Sequence, residues 1–206
     1  MYRIVELDEK ISILITIIVL SLVFGSRYLI TIDLINFTLT TIVSSIAVIP
    51  HELAHRWVAR KMNCYSRYVL DPFGLVLTLI TAIPYIPFKI IMPGYVLVFS
   101  TTFDPVYSKR INGIVSYFGP LTNILISIVS IVLLTLIKYI NNIHFIIIVF
   151  LILAVRLNSW IAFFNLIPIP PLDGSKVINW KPHLWIILFV ISIILWILSI
   201  RLNELI

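Results

Sequence analysis

Long apolar stretches separated by short polar turns dominate this chain of 206 residues. Ile111–Ile137 contains 27 consecutive residues without a charge, and Leu34–Pro50 contains 17. A helix needs about 20 mostly apolar residues to cross the roughly 30 Å hydrocarbon core of a bilayer. The pattern therefore predicts about five to six membrane-spanning helices, of which we place five, at about residues 11–32, 34–61, 111–137, 143–166 and 184–200.

The stretch between the second and third predicted spans follows a different pattern. Leu75–Ile80 and Tyr95–Phe99 are short apolar runs rich in Val, Leu, Ile and aromatic residues, and prolines recur too often around them for one continuous helix. We predict both runs as strands of a β-rich insert over about residues 68–100, on the cytoplasmic side. The predicted fold is a single-domain, all-α polytopic membrane protein with a short membrane-associated β-sheet between the second and third spans.

The composition supports a membrane protein and argues against other classes. Hydrophobic residues make up 61% of the chain and charged residues 12%, against roughly 25% charged in soluble domains. The net charge of +6 comes from basic residues that flank the spans without forming a stripe, so we expect no nucleic-acid binding. Cys64, the single cysteine, excludes an intramolecular disulfide, and we interpret it as an interfacial residue and not a metal ligand.

The basic residues also predict the orientation of the spans. With the N-terminus inside, eleven of them, including Arg3, lie on cytoplasmic segments, and only Arg27, Lys138 and Arg201 lie outside. We therefore expect a multi-pass protein of a prokaryotic plasma membrane, with its N-terminus in the cytoplasm and an uncleaved first span. Arg156 is a cation within the fourth span, which invites a functional role, but we favour snorkelling toward water or pairing with a backbone carbonyl.

A metal-binding pattern, His51-Glu52-Leu53-Ala54-His55, lies toward the cytoplasmic end of the second predicted span. Residues four apart share a helix face, so both imidazoles can reach one metal ion, and Glu52 is placed to take a proton from water. Such histidine pairs also occur by chance in purely structural roles. A carboxyl group within a bilayer is costly unless it is used or paired, so the pattern favours zinc-peptidase chemistry.

A zinc hydrolase needs a third protein ligand besides the two histidines. Asp71 and Asp104 each precede a proline, which favours turns, and Glu204 is the only later glutamate. Asp173 follows a proline-rich break in a spanning segment, and broken backbone at that depth is tolerated mainly where it lines a cavity. Asp173-Gly174 can also form a simple turn, but we favour Asp173 as the ligand.

Together these segments resemble the site-2 protease family of intramembrane zinc metalloproteases. In that family an H-E-x-x-H span is completed by the aspartate of an N-x-x-P-x-x-P-x-D-G-like segment, which here are His51–His55 and Asn165–Gly174. Gly119–Asn123 resembles the family's G-P-x-x-N element, and Pro72–Gly74 resembles the start of its membrane-associated strands. The soluble insert and additional C-terminal helices of some members are not expected here.

The resemblance implies an intramembrane zinc metalloendopeptidase that cuts transmembrane protein substrates within or near their spans, in regulated intramembrane proteolysis. One zinc ion per chain would be held by His51, His55 and Asp173, with the active site opening toward the cytoplasm. Glu52 would act as general base and then as general acid.

Two asparagines and the predicted strands are candidates for contacts with the substrate. Asn123 or Asn165 would donate a hydrogen bond to the substrate backbone or the developing oxyanion, or would instead join two helices. An unwound substrate segment would add to an edge of the predicted sheet. The alternative is a non-proteolytic membrane metal-binding protein or transporter that uses the same ligands, which leaves Glu52 without a task.

Overall fold

The computed structural model describes residues 7–84, 86, 89–100, 104–137, 139 and 144–202. The sequence predictions that involve Arg3, Lys138, Ile143 and Glu204 lie outside these described residues. Within them the chain forms seven helices and two strands: α1 Glu9–Ile30, α2 Leu34–Lys61, β1 Tyr65–Leu70, α3 Pro72–Ile80, β2 Gly94–Phe99, α4 Pro105–Ile137, α5 Phe145–Asn165, α6 Asp173–Trp180 and α7 Pro182–Leu202.

Five of these helices, α1, α2, α4, α5 and α7, are long and apolar enough to cross a membrane. They contain 21 to 33 residues each, and 21 residues of helix extend about 31 Å. The predicted fold class, a polytopic all-α protein with a short sheet after the second span, is confirmed. We call the end of the bundle with Glu9 and Lys61 the near end, and the end with Ile30 and Leu34 the far end.

Aspartates cap three of the helices at their first turns. The side chains of Asp8, Asp33 and Asp71 accept hydrogen bonds from backbone N–H groups at the starts of α1, α2 and α3. These N–H groups have no partner within the helix, so each cap stabilises its helix by roughly 1 kcal/mol. The bonds that Asn36 donates lower the pKa of Asp33 below its usual value.

The sheet confirms one predicted strand and corrects the other. β1 and β2 pair antiparallel, from Tyr65 opposite Phe99 to Leu70 opposite Gly94, so the strand predicted at Tyr95–Phe99 is present. The strand predicted at Leu75–Ile80 is wrong, because this run belongs to helix α3. Asp71 provides the N-cap of α3 and a proline occupies its first position, a combination that starts a helix.

Helix α4 is the centre of the bundle and packs against α2, α5, α6 and α7. At the near end, Val58 and Ala59 of α2 pack with Ile111 and Val115 of α4, and the buried Cys64 joins this core cluster. A second buried cluster joins α4, α5 and α7, and a third joins α1, α2 and α5. These contacts fix the face of α2 that carries the histidines against α4.

Candidate metal centre

Three buried side chains from two helices converge at one point in the bundle. His51 and His55 lie one turn apart on α2, and Asp173 is the first residue of α6. The Asp173 Oδ2 atom is 3.2 Å from His51 Nε2 and 3.1 Å from His55 Nε2. One candidate ligand atom from each residue lies within 4.8 Å of the others, so these three residues could hold a metal ion.

Close packing at Gly174 sets the position of Asp173. A Cβ atom at Gly174 would lie 2.1 Å from the carbonyl oxygen of Leu166, so only glycine allows α6 to begin this close to the end of α5. The same carbonyl oxygen accepts a 2.7 Å hydrogen bond from Trp185 Nε1 of α7. The proline-rich segment between α5 and α6 therefore ends at a fixed point, with Asp173 beside the two imidazoles.

Both imidazoles are oriented by an oxygen acceptor on α4. His51 Nδ1 lies 2.6 Å from Asn123 Oδ1, and His55 Nδ1 lies 2.8 Å from the carbonyl oxygen of Val115. Because these oxygens can only accept, Nδ1 is the protonated nitrogen of each ring and donates the bond. The Nε2 lone pairs are then free and directed toward Asp173, which is the arrangement that metal-binding histidines use.

The Asn123 side chain is itself held from two directions. Its Nδ2 donates to the carbonyl oxygen of Ala47 at 2.6 Å and to Asn158 Oδ1 at 2.8 Å, and both asparagines are fully buried. Neither Asn158 nor Val115 was predicted from the sequence. Asn158 could have been found because it is a polar amide inside an apolar span. Nothing in the sequence indicates which backbone carbonyl accepts a hydrogen bond from His55.

The other candidate asparagine is placed differently. Asn165 Nδ2 donates to the carbonyl oxygen of Ile161 at 3.0 Å, one turn earlier on α5. The substrate contacts predicted for Asn123 and Asn165 stay predictions. In this arrangement both N–H bonds of Asn123 are already used, so its hydrogen bonds support the orientation of His51.

Gly119 of α4 leaves the space that the two imidazoles occupy. A Cβ atom there would lie 2.3 Å from His55 Cε1, 2.4 Å from His55 Nε2 and 2.7 Å from His51 Nε2. All three distances are far below ordinary van der Waals contact, so any side chain at this position would displace the rings. The Gly119–Asn123 element thus has two roles: its glycine admits both histidines, and its asparagine orients one of them.

Glu52 follows His51 on α2 and lines a small cavity together with residues of α1 and β1. Its Oε2 atom is buried and has no hydrogen-bond partner among the described residues. Glu52, Arg56 and Tyr68 line a cavity of about 10 Å³, which is room for about one water molecule. Burial raises the pKa of Tyr68 above its usual range, and its hydroxyl lies 2.8 Å from Thr16 Oγ1.

Comparison with known proteins identifies the family. No protein-family model and no solved structure match the chain. A protein of Methanocaldococcus jannaschii, provisionally named a zinc metalloprotease, is 36% identical to it over 157 residues, which cover 74% of this chain and 78% of the relative. The chain belongs to this zinc metalloprotease family. Zinc is therefore the implied metal, and the five apolar helices make this metalloprotease a multi-pass membrane protein.

The donor atoms of the metalloprotease fit zinc. Two imidazole nitrogens and one carboxylate oxygen are typical ligands of a catalytic zinc ion, which keeps its fourth position open. Tetrahedral zinc with bonds of about 2.0–2.1 Å requires ligand atoms about 3.3–3.4 Å apart. The observed separations of 3.1 and 3.2 Å between Asp173 Oδ2 and the imidazole nitrogens are close to this requirement.

Proposed function

We propose that the protein is an intramembrane zinc metalloendopeptidase of the site-2 protease type, which cuts transmembrane segments of other membrane proteins. The observation that supports this most directly is the depth of the metal cluster. His55 and His51 lie 6 and 10 residues from the end of α2 at Lys61, about 9 and 15 Å along the helix axis. Because α2 is long and apolar enough to span a bilayer, the cluster would lie within the hydrocarbon layer.

Each residue of the cluster then has a defined task. Zinc, when bound, supplies a Lewis acid that makes water a nucleophile near neutral pH and polarises the scissile carbonyl. His51, His55 and Asp173 hold one zinc ion per chain, and Asn123 keeps His51 in the tautomer that can bind it. Glu52 accepts the proton of the attacking water and passes it to the leaving amine. Its Oε2 atom, which has no hydrogen-bond partner in the described part of the chain, is available for this bond.

The proposal includes an orientation. Basic residues are concentrated in segments at the near end, including Arg60 and Lys61 in the last turn of α2. Loops rich in lysine and arginine face the cytoplasm, so we place the near end and the opening of the active site there. The protein would then lie in a prokaryotic plasma membrane with its N-terminus inside.

A substrate helix hides its peptide bonds, so cleavage requires an unwound segment. In the described two-stranded sheet, β2 has one edge that β1 does not cover, and we propose that the unwound segment pairs there. Neighbouring residues of a strand direct their N–H groups to opposite edges, so Val96→Pro and Leu97→Pro each remove a donor from a different edge. One of the two should reduce cleavage strongly with the zinc content unchanged. Normal cleavage by both would exclude strand pairing at β2.

The experiment that tests the proposed function uses a detergent-solubilised spanning peptide as substrate. Glu52→Gln should retain zinc and lose cleavage, whereas Asp173→Ala should lose both. Asp104→Asn is the matched control, since Asp104 is an exposed acidic residue at the start of α4, and it should retain both. If Glu52→Gln cuts the peptide at the wild-type rate, the protein does not use this mechanism. The result would then favour the alternative of a non-proteolytic metal-binding protein or transporter.

A further inference from the structure

A large cavity lies beside the half of α2 that is nearer the far end. It has a volume of about 460 Å³ and is bordered by α1, α2, α5, α7 and the segment after α3. Its lining includes Tyr28, Val43 and the indole rings of Trp160 and Trp196, whose centroids are 5.0 Å apart. Phe24 also lines it and packs against the buried core cluster of α1, α2 and α5. The cavity therefore adjoins the part of α2 that leads to the metal cluster.

Arg156 supplies a charge to this cavity at mid-membrane depth. It lies 11 residues from Phe145 and 9 from Asn165, about 16 and 14 Å from the two ends of α5. Its guanidinium group has no hydrogen bond or ion pair with any described residue. A cation at this depth is costly without a partner and is usually paired or functional.

The cavity contains a second positive charge besides Arg156. Lys89 also lines the cavity, and its ammonium group donates to the carbonyl oxygens of Thr81 at 2.6 Å and Ile83 at 3.3 Å. None of the described residues that line the cavity is acidic. The cavity is therefore suited to an anion that comes from outside the described chain.

We propose that this cavity binds an acidic side chain of the substrate's transmembrane segment, with its carboxylate paired to Arg156. This inference rests on the proposed function and specifies the substrate class. Depth favours a peptide over a lipid, because lipid phosphates lie near the bilayer surface, about 15 Å from its centre. A spanning segment can carry a carboxylate at any depth.

The structure also predicts where the acidic residue lies in the substrate. Val43 of the cavity wall and His51 of the metal cluster are eight residues apart on α2, or about 12 Å. An extended peptide advances about 3.3 Å per residue. The acidic residue should therefore lie about four residues from the scissile bond, on the side toward the far end of the bundle.

The test uses spanning peptides with Asp, Asn or Leu at each position of this region. Peptide binding is measured by tryptophan fluorescence with Glu52→Gln enzyme, and KM and kcat are measured with enzyme that carries the native Glu52. With native Arg156, the Asp peptide should bind about tenfold more tightly than the Asn peptide at the predicted position, with a lower KM and similar kcat. Arg156→Gln should remove this preference, and Arg156→Glu should transfer it to a Lys peptide. Arg201→Gln, a control at the end of α7, should keep the wild-type preference.

Two outcomes would overturn the inference. The first is that enzyme with native Arg156 binds the Asp and Asn peptides equally at every position. The second is loss of a co-purified anionic phospholipid in Arg156→Gln without any change in peptide preference, which would assign the cavity to a lipid. A failure of the proposed function looks different, because the wild type would then cut no peptide while the binding assay still reports the preference.

Discussion

Replacement of Gly119 by alanine tests whether the metal centre depends on the close approach of α4 to α2. The added Cβ atom would lie 2.3 Å from His55 Cε1 and 2.7 Å from His51 Nε2. An ordinary van der Waals contact begins at about 3.4 Å, so the His55 ring or the α4 backbone must move by about 1 Å. Zinc sites tolerate deviations of only about 0.2 Å in ligand distances, so a displacement of this size disrupts the site.

We expect Gly119→Ala to lower zinc affinity by at least about 100-fold, or about 2.7 kcal/mol, with cleavage falling in parallel. The backbone itself gains from the change, since alanine is favoured over glycine in a helix interior by about 1 kcal/mol. Zinc content after equilibration with a graded chelator measures the affinity, and circular dichroism checks that the helices persist.

Gly25→Ala is the matched control for this substitution. Its Cβ atom would also meet an aromatic ring of a neighbouring helix, at 2.6 Å from Phe37 Cδ2, but away from the metal cluster. This variant should keep wild-type zinc affinity even if its thermal stability changes. A Gly119→Ala protein that binds zinc as tightly as the wild type would refute the reasoning.

Two further predictions follow from hydrogen bonds. Asn123→Ala removes the acceptor of His51 Nδ1, so zinc affinity should fall about 10- to 100-fold. Thr122→Ala is the control, because the Thr122 hydroxyl donates to the carbonyl oxygen of Phe118, and this variant should keep the wild-type zinc affinity. Because the pKa of Asp33 is lowered on folding, its contribution to stability is present above its unfolded value of 3.8 and is lost as the pH falls through the folded value. Thermal melts at pH 7 and pH 3 should therefore show a smaller acid destabilisation for Asp33→Asn than for the wild type, and equal losses would contradict this assignment.

The fold class could be predicted because a long run of apolar, uncharged residues is a strong local signal of a membrane-spanning helix. The wrong prediction of a strand at Leu75–Ile80 also has a local cause. Asp71 and the proline after it were interpreted as a turn, although the same pair starts helix α3, and prolines that interrupt one long helix do not exclude a short one. Strand β1 was not predicted individually, since its residues Tyr65–Leu70 include Arg67 and follow a basic cluster without a clear alternation.

The candidate metal ligands could be predicted from spacing and order, but their supporting contacts could not. His51 and His55 share a face of any helix, so their convergence needs no tertiary information. The partners of these rings depend on how α4 packs against α2 and α5. The fully buried Asn158 reaches the site only through Asn123, a relation between two spans that sequence spacing does not contain.

The hydrogen bonds of the buried polar groups in the bundle indicate where an active site would lie. In an apolar environment an unpaired polar group is costly, and each side-chain oxygen and nitrogen of the buried Asn123 and Asn158 has at least one hydrogen-bond partner. Among the described residues, only Glu52 Oε2 and Arg56 Nε are buried side-chain polar atoms without a partner, and both residues line the same water-sized cavity. The unpaired groups are therefore confined to the cavity that Glu52, the proposed general base, shares with Arg56. A carboxylate with a purely structural role would be paired by the protein, whereas Glu52 Oε2 has no partner among the described residues and is available to a water molecule in this cavity.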